Sequence, residues 1–235
     1  MSRLFPFAAA GVVALTGAGT AQAAERDFSP GGEVHAVSNS TPFDVYVHTV
    51  KAPGVHASGT QEALDRLQIE NRGGELRIGS KSGNWFSGWQ WGKGQRARID
   101  VTVAMIAEVS LAVPGNITVD VVRTRDFGVH LSGPGNINVG SVEARGITLN
   151  LSGPGDIRVA GHADRAVMHL TGPGNIHAGN LNLGEAAVTL SGPGDIDATV
   201  TRTADVRLSG PGDVRIRGGA RCSIQKSGPG DVTCG

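Results

Sequence analysis

A proline returns along the chain at Pro114, Pro134, Pro154, Pro173, Pro193, Pro211 and Pro229, at intervals of 20, 20, 19, 20, 18 and 18 residues. Around it the last six copies read [Ser/Thr]-Gly-Pro-Gly-[Asn/Asp], and the first is degenerate, Ala112-Val113-Pro114-Gly115-Asn116. Few folds can hold such a pattern. Aligned on the proline, the third residue before it is Leu111, Leu131, Leu151, Leu170, Leu190, Leu208 and then Lys226; the third after it is Ile or Val in every copy. The fifth residues on either side, from Val109 and Val119 onward, are also apolar or small, and the residues between are polar. Alternation with period two marks strands with one wet face. A repeat of about 18–20 residues without a helical stretch reads as one solenoid rung that buries its apolar face only when stacked. The expected fold is all-β, a single-stranded right-handed parallel β-helix; a β-sandwich or antiparallel roll is the weaker alternative, because hairpins would not keep every column aligned. The corner is read as a type II turn, with proline fixing φ and the glycine after it taking positive φ.

Three parts are expected: a leader at 1–23, irregular N-terminal rungs at 24–108 and regular repeats at 109–235. The leader has Arg3, an uncharged apolar run from Phe7 to Ala21 and an Ala-x-Ala site ending at Ala23, the pattern of a secretory signal peptide. No later segment reads as membrane-spanning, and no cysteine follows the cleavage site to carry a lipid anchor. Export to the periplasm, the envelope or the exterior is the implied location. Without the leader the chain has 20 basic and 21 acidic residues, which gives no footing for nucleic acid. Within 24–108, "ENRGGELRI" looks like two strands joined at Gly73-Gly74, and "KAPGVHASG" like a degenerate rung.

Where the repeat breaks, function is easier to look for. The insertion Ser82–Gly94 carries Trp85, Phe86, Trp89 and Trp91, half of the eight aromatics left after the leader. It reads either as a flap over the core or as a candidate ligand or partner contact. The polar column Asn116, Asn136, Asp156, Asn175, Asp195, Asp213 and Asp231 is read as a structural turn ladder. Calcium is the rival occupant of its stacked carboxylates, but the repeat of calcium-binding β-rolls is absent. A serine or threonine in every rung, such as Ser132 or Ser152, is architecture rather than a nucleophile. His130, His169 and His177 are expected on a mixed-charge surface with Arg158, Arg207 and Arg215. No catalytic residue, metal site or cofactor is assigned. Cys222 and Cys234 fall seven before and five after Pro229, at columns occupied in the three preceding copies by Ala or Ile, so a disulfide across the last rung is expected.

The segments "LSGPGNINV", "LSGPGDIRV", "LTGPGNIHA", "LSGPGDIDA" and "LSGPGDVRI", with "LDRLQIENRGGELRIGSK" before them, resemble the bacterial head GIN domain family, labelled an autotransporter adhesin. The resemblance covers roughly residues 35–232. It implies a right-handed parallel β-helix at or beyond the bacterial envelope, and no catalytic residues. No segment able to form a translocating barrel follows the repeats. The expectation is a non-enzymatic, adhesin-like binding or structural module, whose partner would be an envelope glycan or a surface protein. A polysaccharide-binding or polysaccharide-processing β-helix is the alternative.

Overall fold

The computed structural model describes residues 23–29, 31–49, 53–81 and 96–235. The leader up to residue 22 and the Trp-bearing insertion fall outside them. In chain order the first elements are β1 (Ala23–Phe28), β2 (Ala36–Asn39), β3 (Asp44–Thr49), β4 (Gly54–Thr60), α1 (Gln61–Arg66), β5 (Leu67–Arg72), β6 (Glu75–Ser80) and β7 (Ala97–Val103). Then come β8 (Glu108–Leu111), β9 (Asn116–Arg123), β10 (Asp126–Leu131), β11 (Asn136–Leu151), β12 (Ile157–Leu170), β13 (Ile176–Leu190), β14 (Ile196–Leu208), β15 (Val214–Arg217), β16 (Arg221–Lys226) and β17 (Val232–Cys234). All the strands join one 17-stranded sheet, coiled into a β-solenoid of parallel rungs.

One rung shows how sequence makes shape. Along β11, burial alternates until Gly140 and Ser141 are both exposed, and again until Gly146 and Ile147 are both buried. Each break of the period-two pattern turns the inward face by one residue, so the strand bends around the core at those points. The third bend is the proline corner. Ile137, Val139, Val142, Ala144, Ile147, Leu149 and Leu151 therefore all point inward, each at most 9% exposed. The leucine column stacks in register from Leu111 through Leu131, Leu151, Leu170 and Leu190 to Leu208. Burying one leucine fully contributes about 2 kcal/mol, repeated in each rung.

The corners depart from the type II expectation. Of the glycines that follow the prolines, only Gly115 of the degenerate copy has a left-handed backbone, at φ 130°. The other six are glycine for a different reason. A Cβ on Gly155 would overlap the carbonyl oxygen of Gly135 in the preceding rung, and one on Gly174 the carbonyl oxygen of Gly155. The glycines before the prolines are hemmed in likewise, Gly153 by Gly133 and Ser132. The backbones of successive corners pack so closely that no side chain fits between them.

The N-terminal part obeys another order. β2 lies between β6 and β8, and β3 between β7 and β9, all parallel. The first rung in sequence is thus the second in space; the chain leaves it, builds β6 and β7 outside it, and crosses back to β8. β4, from the "KAPGVHASG" segment, is not a rung: it runs antiparallel to β7 and to β1. β5 and β6 are the antiparallel pair expected about Gly73 and Gly74, whose φ values are 62° and 90°. α1 begins where Thr60 Oγ1 accepts the Ala63 N–H, and it buries Ala63 and Leu64.

Asn39 to Asp44, Asn-Ser-Thr-Pro-Phe-Asp, is an eighth corner. Asn39 pairs with Leu111 and so stands in the leucine column, 1% exposed. Its Nδ2 donates to Phe43 O (3.0 Å), and its Oδ1 accepts Thr41 N–H (2.9 Å) and Thr41 Oγ1–H (2.8 Å). A buried amide is tolerated because it closes its own turn. Thr41 and Phe43 replace both glycines; β6 and β7 beneath are sixteen residues apart in the chain, where the proline corners span four or five.

Candidate functional site

The proline corners carry a continuous polar ladder. Asp44 Oδ1 accepts the backbone N–H (3.1 Å) and the side-chain amide (2.8 Å) of Asn116. Asn116 Oδ1 accepts from Asn136 Nδ2, and Asn136 Oδ1 from the Asp156 N–H. The pattern continues through Asn175, Asp195 and Asp213 to the Asp231 N–H, each side-chain oxygen taking the next rung's backbone N–H at 2.8–3.1 Å. A proline corner interrupts backbone pairing, and these oxygens satisfy the N–H groups it would leave open. For Asp156, burial alone would raise the carboxyl pKa. The Asn175 N–H and amide, with Arg158 at 2.9 Å, outweigh burial and hold it below the usual range. Among the described residues no group of three or more His, Cys, Asp or Glu is arranged to hold a metal.

The histidines lie on two faces rather than one. His130 and His169 share a column with Asn150, Thr189 and Arg207. Asn150 Nδ2 stands 3.1 Å from His130 Nδ1, beside a depression of about 400 Å³. His177 belongs to the next face, in register with Thr118, Asn138, Arg158, Asp197 and Arg215.

That second face holds a trough of about 490 Å³. Its floor is Val139, Gly140, Val159, Ala160 and Gly179, and its polar lining includes Asn138, Arg158, His177, Asp197, Asn180 and Arg217. The trough exists because the column six residues after each proline shrinks mid-stack: Asp120, then Gly140, Ala160 and Gly179, then Thr199 and Arg217. His177 Nδ1 meets Asp197 Oδ1 at 2.9 Å, and Arg158 is held by Asp156. Arg217 has no ion pair or side-chain hydrogen bond among the described residues; its guanidinium reaches over Gly179, 3.0 Å from where a Cβ there would stand, and the Asp197 carboxylate lies beside the same point. Sequence reasoning named Arg158 and His177 as surface residues but missed the trough. The signal was available in that small-residue column, read beside the charged column two positions earlier.

Near the other end, His48 lies between Asp100 (3.5 Å) and Asp120 (3.3 Å), and His56 bonds Asp27 (2.8 Å). Arg98 grips Asp100 through two nitrogens and covers the Tyr46 ring at 3.6 Å. The Arg98 bonds hold the Asp100 carboxyl below the usual range against the opposing effect of burial, with His48 adding to the effect. At the far end Cys222 and Cys234 form a disulfide, Cα atoms 6.5 Å apart, both partly buried against the core. Lys226 Nζ meets Asp231, the last rung of the ladder, at 3.1 Å. Trp85, Phe86, Trp89 and Trp91 lie outside the described residues.

A stacked parallel solenoid with this corner motif matches the family described as putative auto-transporter adhesin, head GIN domain, over residues 33–220. The chain belongs to the head GIN domain family. Among solved structures it is similar to a putative adhesin from Bacteroides fragilis, at 21% identity and TM-score 0.84, with 91% of this chain and 97% of that one covered. It is also similar to a putative lipid binding protein from Parabacteroides distasonis (19% identity, TM-score 0.66, 90% and 96% covered) and a putative adhesin from Parabacteroides merdae (15%, 0.64, 90% and 96%). These likenesses show the GIN solenoid fold. No curated protein matches the chain. No helix of the described residues is long and apolar enough to cross a membrane.

Proposed function

We propose that this GIN-domain chain is an exported, non-enzymatic binding module of the bacterial envelope, adhesin-like in its use of a rigid lateral surface. The observation that carries the reading is the family match over residues 33–220 on a solenoid whose side faces are long polar columns. Such a surface offers many weakly polar contacts in fixed register, which suits recognition of an extended partner. Residues 1–23 supply the signal for export, and removal after Ala23 leaves Ala24 to begin the first strand against β4. The Trp85–Trp91 segment adds a second contact, presenting aromatic rings to a glycan or surface protein. The ladder from Asn116 to Asp231 serves the fold rather than a ligand.

Fractionation with N-terminal sequencing tests export: the mature chain should begin at Ala24 and leave the cytoplasm. Binding of purified protein to envelope material tests recognition. Changing Trp85, Trp89 and Trp91 to Ala should weaken that binding several-fold; equal binding would remove the insertion from the contact.

A further inference from the structure

We infer that the trough between Thr118 and Arg217 binds a strand of anionic glycan, with Arg217 taking its acidic group. This rests on the reading of the chain as a binding module and names a ligand class for its side face.

Three observations converge on it. The trough crosses six successive strands from β9 to β15, about 24 Å at the usual inter-strand spacing, so it suits an elongated ligand rather than a compact one. Its floor is backbone and small side chains at Gly140, Ala160 and Gly179, which lets a ring lie flat. The walls mix donors and acceptors on planar groups: the Asn138 amide, the Arg158 guanidinium, the His177 imidazole and the Asp197 carboxylate. Hydroxyls can donate to or accept from each of these.

An extended peptide is the poorer fit. The backbone N–H and C=O groups of this face are spent in the parallel ladders between rungs, so a peptide strand would find no free sheet edge to pair with. The charge of the ligand follows from Arg217. Arg158 and His177 already meet carboxylates at 2.9 Å, whereas Arg217, though Asp197 lies near it above Gly179, makes no ion pair within 4 Å among the described residues and keeps its guanidinium N–H groups for a ligand. A guanidinium fork held over a glycine floor matches the two oxygens of a uronate carboxylate or a sulfate ester.

The test is calorimetric titration of the full mature chain with hexagalacturonate, a chondroitin sulfate hexasaccharide and neutral maltohexaose. Two variants accompany it, Arg217→Ala and Ala160→Leu. Both sites are at the surface, and Ala160 is at a position where a longer side chain fills the trough; unchanged thermal melting confirms that they fold. At least one anionic oligosaccharide should bind, the neutral one at least about tenfold more weakly. Arg217→Ala should cost about tenfold and flatten the salt dependence, and Ala160→Leu should abolish binding. Absence of binding to both anionic probes, equal binding of the neutral one, or unchanged affinity in both variants overturns the proposal. Adhesion to whole envelope material, measured on the same variants, separates the two readings: adhesion that survives both changes removes the trough and keeps the binding module, while no adhesion by the unaltered chain removes the module itself.

Discussion

The regular stack from β8 to β17 and the N-terminal part from β1 to β7 use the same rung geometry but are held in different ways. In the stack every rung after β8–β9 lies on its predecessor in sequence, so from Pro134 onward each corner must fit against a similar corner. The fit is so close that both residues beside each of those prolines are glycine, whereas the Pro114 corner, which lies on the Asn39–Asp44 corner, has Val113 at the first position. In the N-terminal part the chain doubles back, and the strands beneath the Asn39–Asp44 corner, β6 and β7, are sixteen residues apart in the chain. Thr41 and Phe43 then occupy the glycine positions, and a self-bonded Asn39 replaces a core leucine. Repetition imposes the sequence rule; where stacking neighbours differ, the rule lapses.

The largest way to break this contrast is a glycine in a stacked corner. Gly155→Ala should destabilise by about 3 kcal/mol or more, since the clash is with backbone that cannot move aside. Gly79→Ala in β6, where a Cβ would meet nothing within 4 Å, should be near neutral or slightly stabilising. Urea unfolding of the two variants decides; comparable losses would refute the corner-packing account.

Next is the far end of the stack. Replacing Cys222 and Cys234 with Ala opens a covalent loop spanning 12 positions. It should cost about 2–3 kcal/mol, with amide exchange rising first in β16 and β17. Uniform loss of protection would show that the staple acts globally instead.

A smaller effect is expected at Asn39→Leu. The substitution restores the leucine column but removes the acceptor of the Thr41 N–H and Oγ1–H and the amide that donates to Phe43 O, for a loss of about 2 kcal/mol. A stabilised protein would mean that the column, not the turn, governs this corner.

The smallest effect is pH-dependent and confined to the N-terminal part. The bond to Asp27 raises the His56 pKa against the opposing effect of burial, with the charges of Asp27, Glu25 and Asp100 adding to the rise, and Asp27 lies on β1 opposite His56 on β4. A raised folded-state pKa means that this contribution is fully present below the ordinary His value of about 6.5. It disappears as pH rises through the folded value. The β1–β4 pair should therefore exchange amide protons faster, relative to the core, above that range; a His56→Gln variant should lose the difference, and a persistent difference would assign it to another group.

Much of this was legible in the sequence. The leucine column, the alternating strands and the polar column at each corner all repeat at 18–20 residues, and the two cysteines fall in inward columns of that repeat; one-dimensional periodicity is what a stacked solenoid writes into its chain. The eighth corner was not legible, because Pro42 stands 72 residues before its spatial neighbour Pro114 and lacks both glycines. Asp44, which starts the ladder, was hidden with it. The helix α1 escaped as well: six residues are too few to show a helical period. For the glycines after proline, sequence gave the right residue and the wrong reason, since contact between corners is invisible in one rung alone.

By itself, then, the sequence determined that the chain stacks and which residues face inward, because burial alternation and corner chemistry are local and repeat. Only the tertiary structure decided the order of rungs at the N-terminal end, the separation of His130 and His177 onto different faces, and the trough in which Arg217 makes no direct ion pair. Each of those depends on which strands become neighbours, and that is settled by packing between segments far apart in the chain.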